Sequence, residues 1–373
     1  MHVRQSRDLL REIRFQNDAR ISNVRVDGKA LDAADEIIWQ PSNSGGTLQW
    51  SVQIGHRRGG GGYDAWLGDD WGIFRAEDVI PRAASRTLRG AFSKTTLQID
   101  VPRDWTTITA YSGDGNSFTI DKPQRRFDQP DGWMAIGHLG IRRETISGIR
   151  VAVAGPVGQS LRRMDILALL NWTLPELARV HPKLAPRLTI ISAASPMWRG
   201  GLSAPNSLFI HADRPLISEN STSTLLHEVM HSTLRVTAAE GYDWIVEGIA
   251  EFYSLELLRR SGTITESRYA QALEQQRSWS KTADKLCKHS SQAATTALAV
   301  MTMSALNTEI HERSAGEASL DDLVRALYQF DDAIDLATLQ TIAAQLGGDK
   351  SDVLDTDKLP GCRSIETDSQ ETS

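Results

Sequence analysis

The chain has 373 residues, 40% of them hydrophobic, and a formal net charge of -6 at pH 7. That length suggests two domains, with enough apolar material for a sizeable core. Charges of both signs are interspersed, which excludes the footprint of a nucleic-acid-binding protein, and no run of about 18 apolar residues is present to cross a membrane.

Met1 to Arg14 is polar and charged and lacks the apolar stretch of a signal peptide. The expected location is cytoplasmic for the sequence as written, and periplasmic or secreted if the start is misplaced. The two cysteines, Cys287 and Cys362, are too few for a disulfide framework or a four-cysteine zinc site. Two unpaired thiols are the plain expectation; one disulfide tying down the C-terminal tail is the expectation for an exported protein.

Residues 1–155 read as a β-rich domain, with short runs at Leu48 to Ile54, Leu97 to Val101, Thr107 to Ala110 and Ser117 to Ile120 set apart by turn residues. Gly59 to Gly62 lacks the Lys-Ser/Thr of a phosphate cradle and reads as a hairpin loop. Trp50, Trp66, Trp71, Trp105 and Trp133 read as core of this half. Ile149 to Ala154 is a strand, followed by a helix near Leu161 to Ala178 with apolar residues recurring at three and four. Leu188 to Ile191 and Ser207 to Ile210 are short apolar strands. From Ser223 the pattern is almost wholly helical: Asp243 to Ser261, Glu266 to Gln276, Ala293 to His311, and Ser319 to Tyr328, where Ser319 is a good N-cap. Residues 156–352 form the second domain, and 353–373 read as a polar, frayed tail.

The chemistry concentrates in two of these helices. His227 and His231 are four apart and share one helix face, so both imidazoles reach one ion. Zinc suits neutral imidazole, and three protein ligands leave a position for water. Glu228, about 100° round the helix, lies beside that water and suits the general base. Leu225, Leu226, Val229 and Met230 cover the remaining faces. In the next helix Glu247 and Glu251 share one face among apolar Ile245, Ile249 and Phe252, which is costly unless something cationic sits opposite. Glu247 is expected as the third zinc ligand. Glu251 is expected to accept from a ligand histidine, or to be an alternative ligand.

Trp244 to Leu273, with Glu247-Gly248 in a Trp-x-x-Glu-Gly helix, resembles the glycyl-aminopeptidase family of gluzincins, relatives of the alanyl aminopeptidases. Ser319 to Leu327 resembles that family's later Ser-Leu-Asp-Asp helix. Gly200-Gly201-Leu202-Ser203-Ala204-Pro205-Asn206-Ser207 resembles its Gly-Gly-Leu-x-x-x-Asn-Ser segment, which lines the substrate cleft. The resemblance implies an α+β architecture, a β-rich domain followed by a thermolysin-like, mainly helical zincin domain. It also implies substrate contacts from Gly200, Gly201, Leu202, Ser203 and Asn206, and a peptide or protein substrate held as an added strand along the segment after Asn206. The chain departs from the family at Ser203, where the family has an acidic residue; in the alanyl enzymes that residue binds the substrate's α-amine. It departs again at Thr295-Thr296, in the place of a tyrosine that donates to the oxyanion; Tyr242, Tyr253 and His289 are the substitutes on offer. The gap from His231 to Glu247 is also shorter than in the family. The expected function is zinc-dependent hydrolysis of peptide bonds with Glu228 as base. The alternatives are a non-enzymatic zinc-binding protein on the same fold and a hydrolase of a non-peptide amide.

Overall fold

The structure, a computed structural model, describes residues 1–32, 34–120, 129–181, 183–234, 236–330 and 332–362. In the first half burial alternates along the strands, as at Ile13 and Phe15 of Leu10–Gln16, and a register shift between Leu10 and Glu12 brings Leu10 inward as well. Such strands bury one face and leave the other wet. Among the described residues they form antiparallel sheets of four, three, three and five strands, with a one-turn helix α1 (Ala76–Val79) between them. The Gly59 to Gly62 loop does join the paired strands His56–Arg57 and Tyr63–Leu67. Trp133 is fully buried; Trp50, Trp66, Trp71 and Trp105 are half-buried.

A mixed five-stranded sheet links this half to the helices. Its order is Leu139–Ile146, Ile149–Pro156, Arg187–Ala193, Ser207–His211, Gly201–Ala204. The three central strands are parallel and the two outer pairings antiparallel. Helix α2 (Arg163–Val180) makes the crossover between parallel strands and packs Ile166, Leu170, Leu174 and Leu177 into the core. The boundary read at residue 155 falls inside this sheet, whose first strand begins at Leu139.

The remaining helices are α3 (Thr224–Leu234), α4 (Trp244–Arg260), α5 (Glu266–Ser280), α6 (Ala294–Arg313), α7 (Leu320–Leu327) and α8 (Leu336–Gly347). Ser319 and Asp322 form a capping box at the start of α7. Helix α4 is buried along nearly its whole length. Gly248 lets α6 lie against it: a Cβ there would be 2.9 Å from that of Ala299.

Two expectations are corrected. Cys287 and Cys362 are joined in a disulfide, not unpaired. Residues 353–362 are not a frayed tail: Leu354, Leu359 and Cys362 are buried in the main core, and Leu286 N donates to Pro360 O at 2.7 Å. The apolar residues spaced through this polar stretch hold it down and bring the thiols together. The rest of that tail, 363–373, lies outside the described residues.

Candidate metal centre

Helix α3 begins at a turn where Ser223 Oγ accepts from Leu226 N at 3.3 Å. Its apolar Leu225, Leu226, Val229 and Met230 are all buried, which fixes its rotation and leaves His227 and His231 on the face toward α4. Helix α4 presents Glu247 and Glu251 to that face. The Nε2 atoms of His227 and His231 are 3.1 Å apart. Glu247 Oε1 lies 3.2 Å from His231 Nε2, and Glu247 Oε2 lies 3.5 Å from His227 Nε2. All three ligand atoms fall within 4.8 Å of one another.

These spacings fit zinc. A tetrahedron with bonds of about 2.0–2.1 Å has edges of about 3.3–3.4 Å. Two imidazole nitrogens at 3.1 Å cannot both aim lone pairs at each other unless a proton or a cation lies between them. Glu251 Oε2 is 2.9 Å from His227 Nδ1, which places it as acceptor of the Nδ1 proton and turns Nε2 into the free ligand nitrogen. In the protein alone, burial opposes charge on His227, yet Glu247 and Glu251 raise its pKa well above the usual value. Burial likewise opposes charge on Glu247, but the two histidines hold its carboxyl well below the usual range. The three side chains form a group that could hold a metal ion.

Glu228 is buried on the next face of α3, and burial pushes its carboxyl above the ordinary range against the pull of His227 and His231. Its surroundings account for the glycines of the cleft segment. A Cβ on Gly201 would lie 2.6 Å from Glu228 Cγ, and one on Gly200 would lie 2.0 Å from the Trp198 ring. The Ser203 side chain pulls the Glu228 carboxyl the other way, downward. Gly201 and Ser203 thus face the general-base candidate, while Leu202 packs on the opposite side against the cluster around Trp133.

Gly201–Ala204 is the outermost strand of the sheet. This corrects the expectation that the strand after Asn206 holds substrate: Ser207–His211 has neighbours on both sides. His211 N donates to Gly200 O at 2.9 Å, and antiparallel alternation then leaves the N–H and C=O of Gly201 and Ser203 on the open edge. Asn206 stands in the connecting turn at φ 55°, a left-handed position that asparagine tolerates. The sequence had not shown that the β-rich half clamps this strand. Trp133 Nε1 donates to Leu202 O and Trp133 N to Ser207 Oγ, each at 2.8 Å.

The substitutes for the family's oxyanion tyrosine fare differently. Tyr253 is buried and donates to Asp321 Oδ1 at 2.6 Å, and His289 is exposed beside Glu240. Thr295 Oγ1 donates to Lys285 O. Tyr242 is buried close before α4.

The sequence matches no protein-family model and no curated protein. In structure it is similar to the aminopeptidase N family protein of Idiomarina loihiensis, with TM-score 0.67 and 17% identity over 88% of this chain and 66% of that one. An M1 zinc metallopeptidase of Deinococcus radiodurans, bound to a Tyr-Ser-Ala substrate, gives TM-score 0.59 and 14% identity over 95% and 87%. The fold is that of the M1 zinc metallopeptidases. Yeast LTA4 hydrolase shares the M1 fold as well, with TM-score 0.55 and 13% identity; this chain spans 62% of its length.

Proposed function

We propose that the chain is a zinc-dependent hydrolase of peptide bonds. The observation that carries this reading is the juxtaposition of His227, His231 and Glu247 with a buried Glu228 under an open strand edge. Zinc bound by the three ligands would polarise the scissile carbonyl and acidify a bound water. Glu228 takes a proton from the attacking water and passes it to the leaving amine nitrogen. Glu251 holds the His227 ring in its tautomer. The substrate backbone pairs with the free N–H and C=O of Gly201 and Ser203, which sets the scissile bond beside Glu228. Fold neighbours that bind peptides support this assignment, among them the Deinococcus enzyme with its Tyr-Ser-Ala substrate. The Cys287–Cys362 disulfide supports a periplasmic or secreted location, where such bonds persist.

The second reading, a non-enzymatic zinc-binding protein, is favoured by Ser203 in place of the amine-binding acid and by the commitment of Thr295 and Tyr253 to other partners. The two readings separate in a peptide-library digest of wild type and Glu228→Gln. The hydrolase cleaves and the variant, still zinc-loaded, loses at least about 100-fold in rate. A zinc-loaded wild type that cleaves nothing overturns the peptidase reading.

A further inference from the structure

Far from the metal centre, the other side of the five-stranded sheet carries a cluster of arginines that the peptidase reading does not use. Arg150 and Arg187 are direct partners across parallel strands, and Thr145 is the partner of Arg150 on the outermost antiparallel strand. Arg143 stands two residues before Thr145 on the same face. Side chains placed in this way share one face of the sheet: Arg150 and Arg187 lie side by side, and Arg143 stands diagonal to Arg150. They line one wall of a cavity of about 560 Å³, whose other wall is Thr107, Thr109, Tyr111 and Phe118 of the β-rich half. That volume is in the range of small-molecule sites.

Among the described residues the charge of this cluster has no ion-pair partner. Among the described residues no carboxylate lies within 4.0 Å of Arg143, Arg150 or Arg187, although Arg163, Arg259, Arg260 and Arg313 all have polar partners. Glu144 contributes to the wall, but its register partner is Val151 of the core face, and its carboxylate accepts from Asn171 Nδ2 at 2.9 Å. Asp114 is the remaining acid at the cavity. Like charges opposite each other in a sheet destabilise it, and burial together with Arg150 holds the Arg187 guanidinium below its usual range. In a chain of net charge -6 the arrangement is a local reversal of sign.

We propose that this cavity binds a multiply charged oxyanion, a phosphate or phosphate ester. Planar guanidinium forks match the oxygens of such groups two at a time, and a tetrahedral oxyanion accepts from several forks at once. The site sits at the opposite edge of the sheet from Gly201–Ala204, so its occupant is not the cleaved bond.

Calorimetric titration with inorganic pyrophosphate, orthophosphate and citrate tests this on the full chain. Pyrophosphate binds one site per chain with a dissociation constant below about 1 mM. Arg187→Gln, on a half-buried side chain, weakens it at least 10-fold, and Arg150→Gln and Arg143→Gln, on exposed side chains, weaken it in the same direction. Without anion the Arg187→Gln protein melts no lower than wild type, because a like-charge contact has been removed. Orthophosphate binding as tightly as pyrophosphate identifies a single phosphate group as the ligand; weaker binding identifies a diphosphate. The proposal is overturned if pyrophosphate does not bind, if binding is unchanged in the arginine variants while zinc removal abolishes it, or if citrate binds better than either phosphate.

Discussion

Gly201→Ala probes the contact between the cleft strand and the general base. The added Cβ would meet Glu228 Cγ at 2.6 Å, Thr224 Cγ2 at 2.8 Å and Glu228 Oε1 at 2.9 Å. Ordinary carbon contact begins at 3.4 Å, so 3.4 minus 2.6 leaves roughly 0.8 Å to be found. The strand cannot recede freely, because Trp133 Nε1 holds Leu202 O and the ladder to Ser207–His211 holds its inner edge. The Glu228 side chain therefore swings, or the strand and helix part. Either way the base moves by nearly 1 Å against the substrate backbone, and a misplacement of that size costs about 100-fold in rate, or about 2.7 kcal/mol. Overpacking takes a further 1–3 kcal/mol or so from stability. The ligands lie on the other faces of α3 and α4, so zinc stays bound. The assay is kcat/KM on a peptide the wild type cleaves, with zinc content and Tm measured on the same sample. Wild-type kcat/KM in a folded, zinc-loaded Gly201→Ala protein would refute the placement of Glu228 against this strand.

Glu251→Ala removes the acceptor from His227 Nδ1 and lowers zinc affinity by about 10 to 100-fold, read by competition with a chelator. Glu256 is buried, which opposes its charge, yet hydrogen bonds from Arg259 and Arg260 bring its pKa from 4.5 down to about 2. A depressed carboxyl stabilises the fold above pH 4.5 and loses that contribution as pH falls toward 2, so acid melting should show a loss of about 3 kcal/mol across this window that Glu256→Gln lacks. Reduction of Cys287–Cys362, which closes a separation of 75 residues, costs about 4.5 kcal/mol on the loop-entropy account and lowers Tm accordingly. An unchanged Tm in reductant would show that the bond does not stabilise the fold by restricting the unfolded chain.

The parts of this protein legible in its sequence are those set by short-range periodicity. The i, i+4 spacings of His227 with His231 and of Glu247 with Glu251 place ligands and acceptor on facing helix sides without knowledge of the rest of the fold. Apolar residues around them fix the rotation, and the Ser319 cap was visible for the same local reason. What could not be read was long-range pairing. The order of the sheet, and hence which strand is its edge, depends on contacts between Gly201–Ala204 and Ser207–His211 on one side and Trp133, some seventy residues earlier in the chain, on the other. The disulfide was ambiguous for the same reason, since two cysteines 75 residues apart carry no local signal that they meet. Helix α8 was not singled out, although Asp335 caps it by accepting from Thr338 N. The arginine face was invisible because Arg143, Arg150 and Arg187 lie on three separate strands.

The central claim is that one zinc ion is held by two helices. Crystals of the full chain grown with zinc, measured on both sides of the zinc absorption edge, test it directly. The account predicts one anomalous peak bonded to His227 Nε2, His231 Nε2 and a Glu247 oxygen at about 2.0–2.2 Å, with Glu251 still on His227 Nδ1 and Glu228 outside the bonding shell. A peak elsewhere, or a bound ion with Glu247 turned away and no carboxylate in its place, would contradict it.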